Sequence, residues 1–187
     1  MSETLSTMLP LGTIAPNFVL PDTLSGKDLS FFDVSRKKGT VVMFICNHCP
    51  YVILVLPELL KLAKEYQEKG IGFVAISAND IENYPQDSPE LMKELAQKEG
   101  FTFPYLYDES QDIAKDYDAA CTPDFYLFDE EGVLNYRGRM DNATPGNGHP
   151  VTGADIRNAL DLLLAKKDAP SDQWPSMGCN IKWKKKG

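Results

Sequence analysis

The stretch TVVMFICNHCPYV, residues 40–52, decides the fold. Its first six residues are apolar or β-branched almost without interruption, which is typical of a strand buried on both faces of a parallel sheet. Cys46 and Cys49 follow at C-x-x-C spacing. Beyond Pro50, apolar residues recur at helical spacing until Gly70, and proline is well tolerated in the first turn of a helix. The stretch therefore predicts a buried strand that leads into a helix at a cysteine pair.

Strand and helix patterns alternate along the rest of the chain. Ser88, as N-cap, and Pro89 are predicted to open a helix that Gly100 closes. With the remaining runs, the order β-α-β-α-β-α-β-β-α predicts an α/β fold with a mixed sheet. Residues 168–187 have no periodicity. We therefore expect a single domain over residues 1–167 and a C-terminal tail over 168–187.

Composition limits the classes of function. The chain has 187 residues, 43% of them apolar, and a formal net charge of −8. An acidic surface does not suit nucleic-acid binding, and no apolar run reaches the ~18 residues that span a bilayer. The N-terminal residues lack the basic start and apolar run of a signal peptide. We expect a cytoplasmic protein without nucleic-acid or membrane partners, and a solvated basic segment at residues 182–186.

The cysteine pair points to redox chemistry. Cys46 is predicted to follow the strand near a helix N-terminus, where the helix dipole and free N–H groups lower a thiol pKa. Cys49, one turn further, can reach back to it as a resolving thiol. His48 lies between them, and a protonated imidazole would stabilise the thiolate. Half of a zinc site is the alternative, but Cys121 and Cys179 are far apart with no histidine at ligand spacing. We expect no metal and no cofactor.

Four segments resemble the redoxin branch of the thioredoxin superfamily, the AhpC/TSA-like or TlpA-like proteins: residues 12–22, 46–52, 74–77 and 121–125. The CNHCP motif is similar to that of a bacterial subgroup. The resemblance spans about residues 10–167 and implies a thioredoxin-like three-layer α/β/α fold with a mixed central sheet and an N-terminal extension. It implies that Cys46 is the nucleophile and Cys49 the resolving thiol. It also implies that Pro123, preceded by Thr122, is a cis-proline that binds substrate backbone.

The family resemblance leaves more than one activity open. Thiol-disulfide exchange would use disulfide-containing or thiol proteins as substrates and a thiol electron donor. A thiol-dependent peroxidase is the alternative, since residues 15–18 are shared with peroxiredoxins. In that motif a Thr precedes the reactive Cys-Pro, and here Cys46 stands at the Thr position before Cys49. Arg137 and Arg139 could polarise a peroxide. A binding module that has lost its chemistry is a third class, which the intact C-x-x-C disfavours.

Two further cysteines could extend the redox site. Cys121 immediately precedes the Thr122-Pro123 pair, and Cys179 lies in the predicted tail. Oxidation could pass from the Cys46–Cys49 pair through Cys121 to Cys179, which predicts a contact between the last two. The alternative for Cys121 is a small buried apolar residue, as free cysteine commonly is.

Overall fold

The computed structural model describes residues 3–186. Its elements follow the predicted order over residues 39–164, apart from an added two-residue strand at Cys121–Thr122, and further elements lie before and after that range. The strands are β1 Glu3–Leu5, β2 Val19–Pro21, β3 Asp28–Ser30, β4 Gly39–Phe44, β5 Ile71–Ser77, β6 Tyr105–Tyr107, β7 Cys121–Thr122, β8 Asp124–Phe128, β9 Leu134–Gly138 and β10 Met177–Asn180. The helices are α1 Phe31–Val34, α2 Pro50–Gln67, α3 Pro89–Glu99, α4 Asp112–Asp116 and α5 Ala154–Leu164, with one 3₁₀ turn at Pro85–Asp87.

The central sheet has five strands in the order β6-β5-β4-β8-β9. β4 pairs with β5, and β5 with β6, in parallel, whereas β8 pairs antiparallel with both β4 and β9. All six residues of β4 are buried, which explains its unbroken apolar sequence. The mixed α/β sheet predicted from the strand and helix patterns is confirmed.

Side chains of β4 divide the core into two clusters. Val41 and Met43 pack with buried residues of α2, α3 and α5. Val42 and Phe44 pack with Val34 of α1 and Ala114 of α4. Successive strand residues point to opposite faces of a sheet, so helices cover both faces and the fold has three layers. No helix within residues 3–186 is long and apolar enough to cross a bilayer.

Helix α3 has the ends that its sequence predicts. The Ser88 side chain accepts a hydrogen bond from the backbone N–H of Leu91 at 3.3 Å, and Pro89 occupies the first turn. Gly100 ends the helix with a φ of 73°, in the left-handed region that glycine adopts at low cost. The turn that precedes the helix, Pro85–Asp87, lies beside the cysteine pair, since Asp87 contacts Asn47 and His48.

The C-terminal segment differs from the expectation of an irregular tail. β10 lies between β1 and β7 in a three-stranded antiparallel sheet. A Cβ atom at Gly178 would overlap the carbonyl oxygen of Thr122, so only glycine permits this close approach. Lys182 is only 6% exposed, so the expectation that it is solvated is wrong. The sequence MGCN has no period-2 alternation, and its strand depends on distant partners. The division of the chain at residue 167 stays a prediction.

Candidate active site

Cys46 and Cys49 lie in the connection between β4 and α2. Cys46 comes two residues after β4 ends, and Cys49 is the N-cap of α2, followed by Pro50 in the first turn. Both side chains are buried, with 1% and 0% exposure respectively. The connection therefore positions the pair at the carboxyl end of the central strand, where open α/β sheets place their chemistry.

The Thr122–Pro123 pair lies against both sulfurs. Its peptide bond is cis, as the family resemblance implies. The Sγ of Cys46 is 3.5 Å from the Thr122 hydroxyl oxygen, and the Sγ of Cys49 is 3.4 Å from the Thr122 carbonyl oxygen. Four predicted site residues, far apart in the sequence, thus meet at one place.

Cys49 is joined by a disulfide to Cys179 of β10, with a Cα–Cα distance of 6.2 Å. Cys46 and Cys121 are free thiols. The predicted link between Cys121 and Cys179 is therefore wrong. In the β7–β10 register Cys179 lies opposite Thr122, and it is Asn180 that lies opposite Cys121. The chain therefore places Cys179 against the C-x-x-C pair itself.

Cys121 has the surroundings of a structural residue. It is fully buried, and its Sγ lies 3.8 Å from the Pro123 carbonyl oxygen and 3.9 Å from that of Ser176. Burial, reinforced by the charge of Asp124, raises the pKa of its thiol well above the ordinary value. A thiol held in this way is a poor nucleophile. The arrangement fits a small buried side chain that supports the Thr122–Pro123 turn.

The Cys46 thiol has a raised pKa in this oxidised form. Burial is the main cause and raises the pKa to about 11, and the Asp87 carboxylate contributes in the same direction. Hydrogen bonds from Thr122 and from backbone N–H groups of Cys49 and His48 lower it, but by less. The expected low pKa is therefore wrong for this state. Helix α2 begins only at Pro50, and loss of water outweighs the nearby N–H groups.

His48 contacts a buried carboxylate that the sequence reasoning missed. Its Nδ1 lies 2.7 Å from Oδ2 of Asp87, which is 0% exposed. Asp87 also accepts hydrogen bonds from the backbone N–H of Asn47 at 2.8 Å and from the side chain of Asn79 at 2.9 Å. The His48 ring stacks on Tyr84 with centroids 6.1 Å apart. No local pattern distinguishes Asp87 from other turn carboxylates. The pKa-tuning role of His48 stays a prediction.

The segment after β10 is hydrogen-bonded to the loops around Cys46. The backbone N–H of Lys182 donates to the side-chain oxygen of Asn79 at 2.9 Å, and that of Asp80 donates to the Lys182 carbonyl at 2.8 Å. The Lys182 ammonium lies 5.6 Å from the centre of the Tyr84 ring. Asn79 in turn donates to Asp87. The strand that carries Cys179 and the residues that surround Cys46 therefore form one connected unit.

Three potential metal ligands lie together in this unit. One ligand atom each of Cys46, His48 and Asp87 falls within 4.8 Å of the others. Zinc accepts all three residue types, and structural zinc sites use four ligands. The His48–Asp87 contact already engages two of the three groups, so a metal ion would have to replace it. The expectation of no metal stays a prediction.

A cavity of about 310 Å³ opens beside Pro123. Tyr51 and Val55 of α2 line one part of it, and Trp174 and Met177 of the C-terminal segment line another. Trp174 is 55% exposed and Met177 is 38% exposed. Exposed apolar side chains next to a cavity are typical of surfaces that bind a partner or ligand. The cavity is bordered by Pro123 of the cis-proline turn.

The two arginines considered for peroxide chemistry are held by other partners. Arg137 donates to the Leu9 carbonyl at 2.8 Å and to the Gln173 side chain at 2.9 Å. Arg139 forms an ion pair with Asp155 at 2.7 Å and also lines the cavity. The Arg137 guanidinium therefore connects β9 to neighbouring segments, and that of Arg139, the residue after β9, is held by α5.

Residues 11–137 match the AhpC/TSA family. The thiol-disulfide oxidoreductase ResA of Bacillus anthracis is 28% identical over 126 residues, which cover 67% of this chain and 68% of that protein. A conserved protein from Geobacillus kaustophilus is 53% identical, with a TM-score of 0.98 and coverage of 100% of this chain and 99% of that chain. These similarities extend well beyond the C-x-x-C motif.

The thioredoxin domain of a thiol-disulfide oxidoreductase from Bacteroides vulgatus is 20% identical, with a TM-score of 0.63. The match covers 80% of this chain and 97% of that chain. At this identity the similarity concerns the fold alone. The thioredoxin-like α/β/α fold implied by the sequence resemblance is confirmed.

Proposed function

Because this chain belongs to the AhpC/TSA family, we propose that it is a thiol-disulfide oxidoreductase that acts through Cys46 and Cys49. One observation carries the proposal: both sulfurs contact Thr122, at 3.5 and 3.4 Å, beside the cis-proline Pro123. A substrate held at Pro123 would lie next to Thr122, the residue that both sulfurs contact. The similarity to ResA, which is named for this activity, supports the same reaction class.

The reaction begins when a thiol donor has reduced the Cys49–Cys179 disulfide. The Cys46 thiolate attacks one sulfur of a substrate disulfide and releases the other substrate sulfur as a thiolate. Cys49 then attacks the Cys46 sulfur of the mixed disulfide and releases the second substrate thiol. The protein gains a Cys46–Cys49 disulfide and the substrate gains two electrons. Cys46 is assigned as the attacking thiol because the first cysteine of the C-x-x-C pair is the nucleophile in the family that the chain resembles.

We propose that the substrate is a disulfide-containing or thiol polypeptide. The 310 Å³ cavity leads to Pro123 and has an apolar wall that includes Val55, Trp174 and Met177. Such a wall suits side chains that flank a cysteine in a polypeptide. Thr122 and Pro123 would bind the substrate backbone.

The cytoplasmic location expected from the N-terminal residues is also a proposal, and fractionation of cells that carry the tagged chain tests it.

Reduction of insulin disulfides by the purified protein tests the assignment. We expect Cys46→Ser to abolish turnover, and Cys49→Ser to stop the reaction at a mixed disulfide on Cys46 that mass spectrometry detects. Cys121→Ala is the matched control, since Cys121 is equally buried in the same region but outside the exchange, and it should retain turnover. Full insulin reduction by Cys46→Ser would contradict the proposal.

A parallel assay of thiol-dependent peroxide consumption tests the peroxidase alternative. In that chemistry Cys49, followed by Pro50, would be the attacking thiol. Peroxide consumption that survives in Cys46→Ser and is lost in Cys49→Ser would favour the peroxidase and overturn our choice of nucleophile. For disulfide exchange we expect both substitutions to stop turnover, with a mixed disulfide on Cys46 accumulating only in Cys49→Ser.

A further inference from the structure

We propose that Cys179 is a third redox cysteine of the site, which accepts the disulfide from Cys46–Cys49 and returns Cys46 to a free thiol. This proposal rests on the proposed function, since it adds a last step to the same reaction. In that step the Cys179 thiolate attacks the Cys49 sulfur of the Cys46–Cys49 disulfide. The Cys46–Cys49 bond breaks, the Cys49–Cys179 bond forms, and Cys46 leaves as a thiolate that takes up a proton.

The position of Cys179 supports this step. Its Cα lies 6.2 Å from that of Cys49, within the range of ordinary disulfides. Cys179 lies opposite Thr122 in the β7–β10 register, and Thr122 is the residue that both C-x-x-C sulfurs contact. Thr122 is therefore the common neighbour of Cys46, Cys49 and Cys179, and Cys49 is the cysteine bonded to Cys179. A sulfur in that position can exchange one partner for the other.

The packing of β10 supports it independently. Gly178 permits the strand to approach Thr122 so closely that any Cβ would overlap its carbonyl oxygen. The backbone of the next residues is held by Asn79, Asp80 and Ala120 through hydrogen bonds of 2.8–3.0 Å. β10 is thus fixed at the site by contacts other than the disulfide. Cys179 would remain beside Cys49 after reduction, ready to attack.

The oxidised state also has a consequence for the cycle. With Cys49 and Cys179 joined, Cys46 is 1% exposed and Cys179 is 3% exposed. A buried free thiol reacts slowly with further disulfides or oxidants. The last step would therefore store the oxidised pair in a protected form and keep Cys46 as a thiol. A thiol donor must reopen Cys49–Cys179 before the next turnover.

Disulfide mapping of the full chain tests the step. Reduced protein is mixed with one equivalent of oxidised glutathione, quenched with acid at intervals, alkylated and digested with trypsin without reduction. Cys46 and Cys49 share the tryptic peptide 39–61, whereas Cys179 lies in 168–182. The final wild-type product should join the two peptides, with Cys46 alkylated. Cys179→Ser should stop at the Cys46–Cys49 disulfide, and Cys121→Ala should match the wild type.

Cys46→Ser gives the decisive comparison. If Cys179 receives its disulfide from Cys46–Cys49, this variant should form the Cys49–Cys179 disulfide at least about tenfold more slowly than the wild type. Formation at the wild-type rate would overturn the proposal, and the Cys49–Cys179 disulfide would then be a structural crosslink. The acid-quenched wild-type samples give the same test without substitution, since a Cys46–Cys49 disulfide must rise and fall before Cys49–Cys179 accumulates. Its absence at all times would also overturn the proposal.

Failure of this step is distinguishable from failure of the proposed function. If Cys49→Ser accumulates a glutathione adduct on Cys46 while Cys46→Ser forms Cys49–Cys179 normally, Cys46 is the nucleophile and only the role of Cys179 is wrong. If Cys49→Ser forms no adduct on Cys46, the assignment of the nucleophile itself fails.

Discussion

The Nδ1 of His48 lies 2.7 Å from Oδ2 of Asp87, and the same buried carboxylate raises the pKa of the Cys46 thiol. The carboxylate charge beside the sulfur disfavours the Cys46 thiolate. We predict that His48, which contacts that carboxylate, offsets this effect on Cys46. This relationship makes the reactivity of Cys46 depend on a residue from a separate turn.

Asp87→Asn should lower the pKa of Cys46 below its value of about 11, because the charge that disfavours the thiolate is removed. The measurement is the pH dependence of Cys46 alkylation in the oxidised protein. A Cys121→Ala background leaves Cys46 as the thiol that can be alkylated. Each unit of decrease makes alkylation at neutral pH about tenfold faster. The new amide keeps one acceptor oxygen, so one of the two hydrogen bonds from Asn47 and Asn79 is lost, at a cost of about 1–3 kcal/mol of stability. An unchanged or higher pKa would contradict the role of Asp87.

We predict that His48→Gln raises the pKa of Cys46 and slows its reaction with disulfides, because it removes the imidazole whose Nδ1 contacts the Asp87 carboxylate. The same alkylation profile reports the change. The effect should disappear when Asp87→Asn is already present, since the imidazole acts through that charge, and a double-mutant cycle measures the coupling. Equal effects of His48→Gln in both backgrounds would show that His48 acts on Cys46 by another route.

Gly178→Ala should move β10 away from the site, because a Cβ there overlaps the Thr122 carbonyl oxygen. We expect a loss of about 1–3 kcal/mol in the free energy of unfolding and slower formation of the Cys49–Cys179 disulfide. Denaturant titration and disulfide mapping measure the two effects. Met177→Ala is the matched control on the same strand, since the Met177 side chain is 38% exposed. Wild-type behaviour of Gly178→Ala would mean that the approach of β10 is not critical.

Asp124 should make stability depend on pH. Burial raises the pKa of its carboxyl to about 7, despite hydrogen bonds from Ser6 and Tyr126. The unfolded chain releases this proton near pH ~3.9, so between about pH 4 and 7 the folded state holds a proton that the unfolded state has lost. The free energy of unfolding should therefore fall as pH rises through this window, by on the order of 4 kcal/mol, and level off above about pH 7.

Asp124→Asn provides the comparison, since its side chain does not titrate. Urea unfolding of both proteins from pH 4 to 8 should show the wild type losing stability relative to the variant as pH rises. The cause would be the cost of ionising a carboxyl that is 1% exposed. Parallel pH profiles of the two proteins would contradict a raised pKa for Asp124.

The sequence by itself determined the strand β4, the helix α2 and the cysteine pair between them. Their signals are local: an unbroken apolar run, a helical period and a proline in the first turn of the helix all act within a few residues of each other. The caps of α3 at Ser88 and Gly100 are local in the same way. The position of Thr122-Pro123 opposite the pair was implied by a family resemblance, and the contacts of Thr122 with both sulfurs confirm that position.

Only the tertiary structure decided which cysteine Cys49 binds, which carboxylate faces His48 and how strongly Cys46 is buried. Cys179 is 130 residues from Cys49, and β10 has no apolar period of its own. Asp87 is 40 residues from Asn47, whose N–H it accepts. Chain folding sets these distances through packing of separate segments, and a thiol pKa depends on all the groups that exclude water from it. Local patterns could therefore predict the cysteine pair but not its partners or its reactivity.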